Sequence, residues 1–419
     1  MQPSTAPGTA LLEAERAADL RNARWYLAGL GASVLGDSAM SLVAGVWVKA
    51  LTGRSSAAAM VSVCMYAPTL LAPLAGMLAD RVRRQRLLLG VNVAMAAVVA
   101  TLLGVRSAGR VWLILLVMAL YGVALVVIDP AESALFAIML PSDLRQRING
   151  LRLTLTESGK LTAPVIGAGL FALFGGGPVA AVDAATFAVA AFTISRLRVS
   201  EPRPDARAVD PTPWRTQMVA GLVHLRATRE LRAVLVAGAV AMAISGLGVA
   251  AQYSLVDALG QPPAFLGVLT AALGAGSIVA GLSSARMMGR LDERRLALLG
   301  LLNFAGGTLL RATGWLPAAV VGSVVLGFAL PCSVLAAINL TQRRTPAALQ
   351  GRVAAVVTLA LFAPQPLTQA VGAAIIGPLG YRGVYLLTAA AVLITAAWLH
   401  FRAGTERRRR RHARLTGGL

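Results

Sequence analysis

The chain has 419 residues, 57% of them hydrophobic and only 14% charged, with a mean hydropathy of +0.70. Apolar runs of roughly 20 residues, each able to cross a ~30 Å hydrocarbon core, recur from end to end, which excludes a water-soluble globular protein. The net charge of +21 is concentrated between those runs, so it reads as membrane topology and not as a nucleic-acid footprint.

Residues 1–24 hold Glu13, Glu15 and Asp19 among arginines and lack the basic start, short apolar core and cleavage site of a signal peptide. They are predicted to stay as a cytosolic N-terminal segment. Gly, Pro and charge clusters then cut the chain into spans near 25–50, 56–79, 87–106, 111–139, 148–174 and 178–195. A second set follows at 231–257, 264–287, 296–312, 316–341, 353–377 and 382–401. In hydrocarbon every backbone N–H and C=O must be satisfied within its own segment, and runs this long without strand-like alternation can do so only as helices. The prediction is an all-α membrane protein of twelve transmembrane helices, in bundles of six over 25–195 and 231–401.

Residues 196–230 form the one long polar stretch between spans and are predicted to be a cytosolic linker. Within it Trp214, Met218, Leu222 and Leu225 recur at helical spacing opposite Arg215, Arg226 and Arg229, which suits an amphipathic helix. That helix either lies on the inner membrane surface or docks onto the bundle. Residues 402–419 are a basic cytosolic tail whose run Arg407 to Arg411 suits contact with an anionic inner leaflet or plain solvation.

With the N-terminus inside, 31 of the 39 Lys and Arg fall in inner segments and 6 in outer ones. That asymmetry predicts cytosolic termini at both ends. Shifting the chain by about 205 positions brings Gly76 onto Gly281 and Gly122-Val123-Ala124-Leu125 onto Gly327-Phe328-Ala329-Leu330. The same shift brings Pro141, Leu144 and Arg147 onto Pro346, Leu349 and Arg352. Shared offsets at equivalent places predict two pseudo-symmetric halves related by an axis along the membrane normal.

The loop after the second span reads Gly76-Met77-Leu78-Ala79-Asp80-Arg81-Val82-Arg83-Arg84-Gln85-Arg86. It resembles the signature loop of the major facilitator superfamily in Gly76, Asp80, Arg81 and Arg84, and departs from it at Arg83 and Gln85. A carboxylate beside arginines at a helix end can dock on a neighbouring helix N-terminus. The resemblance implies a conformational latch there, which Asp129 and Glu132 of the fourth span would extend by pairing with Arg81 or Arg84.

In the fifth span Gly159, Ala163, Pro164 and Gly167 are similar to the antiporter motif of drug exporters in that superfamily, with Ala163 in place of a glycine. Small residues four apart allow close helix approach, and a proline bends the helix. Gly36-Asp37, Asp129-Pro130-Ala131 and Asn149-Gly150 resemble the macrolide-efflux-like branch, although Met118 stands where other drug exporters carry an arginine. The resemblance implies a proton-driven exporter of small amphipathic molecules, monomeric, in a bacterial cytoplasmic membrane. Export of an endogenous metabolite such as a siderophore, uptake by symport, and a non-transporting receptor or scaffold are the alternatives.

Ionisable groups inside spans are costly and are functional candidates by default. Asp37 lies about 18 Å into the first span at 1.5 Å per residue, and Glu157 at similar depth in the fifth. Both are candidates to carry the coupling proton. Glu157 has Lys160 three residues on, so an ion pair is an equal reading. Candidate walls for the cargo are Tyr66, Tyr121, Gln252, Tyr253, Asn303, Asn339, Gln365 and Gln369, since a cavity for amphipathic cargo needs apolar walls with a few polar groups. Helix-packing hydrogen bonds are the alternative use for these. Cys64 and Cys332 sit in apolar segments, histidine is limited to His224, His400 and His412, and no phosphate-cradling loop occurs. An enzyme, a metal site or a cofactor is therefore not expected.

Overall fold

The computed structural model describes residues 7–71, 82–199, 201, 214–346 and 349–416. Among them the regular structure is helical throughout. In the first part of the chain the helices are α1 (Pro7–Thr52), α2 (Ser55–Tyr66), α3 (Arg84–Ala100), α4 (Val111–Met139), α5 (Ser142–Phe174) and α6 (Gly176–Ser195). Then follow α7 (Trp214–Ala227), α8 (Arg229–Ala258), α9 (Leu266–Arg290), α10 (Glu293–Ala312), α11 (Leu316–Arg344), α12 (Gln350–Phe362) and α13 (Pro364–Thr416).

Each predicted span has a helical counterpart, and eight helical stretches are long and apolar enough to cross a membrane. One of the eight, Arg352–Phe401, holds two predicted spans separated where Gly380 leaves helical geometry at φ +62°. Three predicted spans fall outside the eight. The Ser55–Leu70 helix is short, α5 carries Arg152, Glu157 and Lys160, and α10 carries Glu293, Arg294, Arg295 and Arg311. The architecture is that of the predicted twelve-helix membrane fold.

Three boundaries differ from the sequence reading. α1 begins at Pro7, well before residue 25, because the Ala-, Leu- and Glu-rich stretch from Ala10 to Ala18 is strongly helix-forming and continues the span without a break. α13 likewise runs on through the arginine run. The eleventh span is interrupted between Phe362 and Pro364, where the ring leaves no N–H to donate and the chain restarts with proline as the first residue of α13.

The chain separates into two compact units, Met1–Thr52 with Cys64–Val209, and Gly53–Val63 with Asp210–Leu419. The start of α2 therefore groups with the second unit, where Ser254 Oγ donates to Ser55 Oγ at 2.8 Å. In the first unit Tyr26, Leu88, Ala131, Leu135, Phe136 and Leu140 form part of a buried core. In the second, Leu231, Leu296, Phe304, Ala329, Val353 and Leu399 belong to another. α7 docks on the second unit: Leu225 is buried, Met218 packs on the same core, and a Cβ at Gly221 would lie 2.7 Å from the Arg352 carbonyl. Of the two uses open to the amphipathic segment, its Leu225 face serves docking, while Val219 and Val223 remain exposed.

The repeat is visible in how helices touch. Gly122 of α4 lies so close to the Met65 carbonyl of α2 that a Cβ would collide with it, and Gly327 of α11 stands in the same relation to the Leu273 carbonyl of α9. The two glycines coincide under the offset read from the sequence, and each makes the same inter-helix contact in its own unit. Only a residue without Cβ permits that approach.

Candidate functional site: a carboxylate pair in the first unit

Five helices of the first unit, α1, α3, α4, α5 and α6, enclose a cavity of about 320 Å³. Its wall is largely apolar, with Leu30, Leu125, Ile128 and Phe187 among the lining residues. Into this wall the helices set Tyr26, Ser33 and Asp37 from α1, Tyr121, Asp129 and Glu132 from α4, and Arg152 and Lys160 from α5. The spacing on α4 explains the alignment: 121, 125, 128, 129 and 132 recur every three or four residues and so share one face.

At the Tyr121 end of this face three side chains from three helices converge. Asp37 is half-buried and accepts from Ser33 Oγ at 2.9 Å on Oδ2 and from the Tyr121 hydroxyl on Oδ1. The same hydroxyl lies 3.3 Å from Oδ1 of Asp183 on α6. Asp183 is 1% exposed, and its Oδ2 has no hydrogen-bond partner among the described residues. Thr186 Oγ1 donates to the Asp183 carbonyl at 2.8 Å and approaches its Oδ1 at 3.5 Å. α1 reaches this point because Gly36 sits against α6, where a Cβ would lie 2.5 Å from Asp183 Oδ1. The Phe187 ring closes the other side, edge to face with Tyr121 at 5.3 Å between centroids.

Asp183 is absent from the sequence-based candidates. Its signal was a carboxylate inside the predicted sixth span, the same signal that singles out Asp37.

Glu157 takes the ion-pair alternative: Lys160 Nζ lies 3.1 Å from Glu157 Oε1, with the Glu157 side chain 61% exposed. Asp129 and Glu132 line the cavity, and Glu132 accepts a 2.6 Å hydrogen bond from the Tyr26 hydroxyl. Arg152 stacks over Phe136 at 5.7 Å. The latch residues Gly76, Asp80 and Arg81 lie outside the described residues. Arg84 begins α3, and beside it Gln85 donates to the Ile194 and Leu197 carbonyls, both at 2.9 Å, closing the C-terminal end of α6. The antiporter-like residues form one face of α5 against α1. A Cβ at Gly167 would lie 2.8 Å from that of Ala39, Gly159 is equally tight on Val34, and Ala163 between them is buried; Pro164 follows inside the helix.

Of the cargo-wall candidates, Tyr121 lines the cavity and the others lie elsewhere. Tyr66 is exposed on α2, Gln252 and Tyr253 are on α8, and Gln365 and Gln369 on α13. Asn303 donates to the Leu299 carbonyl at 2.8 Å beside an open groove of α10, and Asn339 donates to Met288 Sδ at 2.6 Å. The Asn303 bond stays within α10, and the Asn339 bond joins α11 to α9. Arg311, counted from sequence among the outer cations, is buried, with Nε and Nη2 donating to Ser323 Oγ at 3.1 and 2.7 Å.

Macrolide efflux protein A of Streptococcus pyogenes is 22% identical over 316 residues, covering 73% of this chain and 76% of its own length. Macrolide efflux protein A of Enterococcus faecalis is 23% identical over 270 residues, covering 62% and 82%. Among solved structures, the nucleoside transporter NupG superposes with a TM-score of 0.71 at 12% identity, covering 91% of this chain and 98% of that one. A bacterial homologue of the iron transporter ferroportin gives 0.67 at 14% identity, covering 91% and 98%. These structures share the fold. The sequence profile of the Major Facilitator Superfamily matches residues 26–252 and 233–417, and the protein is a transporter of that superfamily.

Proposed function

We propose that the protein exports small amphipathic molecules of the drug or antibiotic kind from the cytosol in exchange for protons, across a bacterial cytoplasmic membrane and with both termini inside. The observation that carries the reading is Asp37, a carboxylate midway along the predicted first span 25–50 that faces a largely apolar cavity and is held by two hydroxyl donors. An ionisable side chain at that depth costs several kcal/mol and is a functional candidate by default. The names of the macrolide efflux relatives point to the direction and kind of cargo. Asp37 takes a proton as cargo leaves and releases it inside. The loop containing Gly76, Asp80, Arg81 and Arg84 serves as a latch between conformations.

Purified protein in liposomes tests this with a radiolabelled macrolide as probe. An imposed pH gradient should drive macrolide accumulation against its own gradient, and a protonophore should abolish it. Macrolide movement that ignores the pH gradient contradicts proton exchange.

A further inference from the structure

Tyr121 stands between two carboxylates but has one proton to donate. If Asp37 and Asp183 were both ionised, one of them would face the hydroxyl oxygen with no donor. Asp183 is placed worse for a charge. It is almost wholly buried, its Oδ2 has no partner among the described residues, and Thr186 Oγ1 lies 2.8 Å from the Asp183 backbone carbonyl against 3.5 Å from Oδ1, so its proton goes to the carbonyl. Asp37 is better placed, because it borders the cavity and receives both Ser33 and Tyr121. A buried ionised carboxylate left partly unsatisfied is far costlier than a neutral acid with one bare carbonyl oxygen.

We infer that Asp183 is a resident carboxylic acid that keeps its proton in the resting protein, donating through Tyr121 to an ionised Asp37. The order of donation is Asp183 O–H to the Tyr121 oxygen, then Tyr121 O–H to Asp37 Oδ1. Ser33 completes the Asp37 shell through Oδ2. The neutral acid frees the one tyrosine proton for Asp37, so the pair has a single exchangeable charge and Asp183 acts as a positioning residue. The other titratable or charged groups lining the cavity are Tyr26 on α1, Asp129 and Glu132 on α4, and Arg152 and Lys160 on α5. The proposal rests on the reading of Asp37 as the proton carrier, but its test needs neither cargo nor gradient.

Infrared spectra of the purified protein in lipid, at neutral pH, count the acids. The parent minus D183N difference should contain one protonated carboxylic C=O stretch that vanishes in D183N and persists in D37N. Asn can replace the lost donor, since its amide N–H reaches the same tyrosine oxygen. Y121F removes only an oxygen and supplies a second reading: the acid's O–H loses its acceptor and the C=O band should move to higher frequency. A band unchanged in D183N, a band lost in D37N, or one indifferent to Y121F overturns the proposal. Those outcomes leave proton-driven efflux standing, and an absence of pH-driven macrolide transport leaves the spectral assignment standing.

Discussion

Gln85 stands where the resembling loop motif carries a basic residue, and the structure supplies a local reason. Its amide donates two hydrogen bonds, one to the Ile194 carbonyl in the last turn of α6 and one to the Leu197 carbonyl just beyond the helix end. Asn22 completes the closure from α1, exchanging two hydrogen bonds with the Arg198 backbone at 3.0 and 3.1 Å. Gln85→Leu keeps the size and removes both donors, so it should destabilise the first unit by about 1–3 kcal/mol. A lowered thermal midpoint in detergent checks this, and an unchanged midpoint contradicts the capping role. At this scale the sequence is informative about type and silent about direction. Asp37 and Glu157 look equivalent by depth, yet Glu157 is exposed and paired with Lys160 three residues on in the same helix, whereas Asp37 borders the cavity. Asp183 carries the same signal as Asp37, and its partnership with Tyr121 exists only where α1, α4 and α6 cross.

The contact of α5 with α1 explains the small-residue motif in packing terms. Gly159, Ala163 and Gly167 recur four apart and lie along one face, and the glycines meet Val34 and Ala39 too closely for a side chain. Gly159→Ile should force α5 away from α1, at a cost of about 1–3 kcal/mol if the helices yield only in part. Because the cavity is bounded by the same two helices, transport should fall further than stability does. Comparing initial transport rate with thermal midpoint on one purified variant checks this; a variant that retains the parental rate contradicts it. Helix existence was readable from apolar run length alone, because lipid leaves the backbone no other choice. Helix ends were less so. Charge marks where a span leaves the membrane and not where a helix stops, and α1 and α13 run well past that point.

At the scale of the whole molecule, the repeat read from scattered glycine, proline and arginine matches reappears as paired contacts, with Gly122 on Met65 and Gly327 on Leu273. The chemistry is not repeated with the packing. The carboxylate pair belongs to the first unit, while the second buries the guanidinium of Arg311 against Ser323. One half of the molecule thus carries the acid groups through which protons and cargo are linked in the function proposed here. Asp37→Asn tests that link most directly, because it keeps the shape, can still accept from Tyr121 through its carbonyl oxygen and can donate to Ser33 through its amide, but cannot titrate. With the variant in liposomes, uphill macrolide transport under an imposed pH gradient should vanish. Exchange of labelled macrolide between equal pools should survive, since alternation needs no net proton movement once the site is permanently neutral. Uphill transport retained by Asp37→Asn would contradict the account.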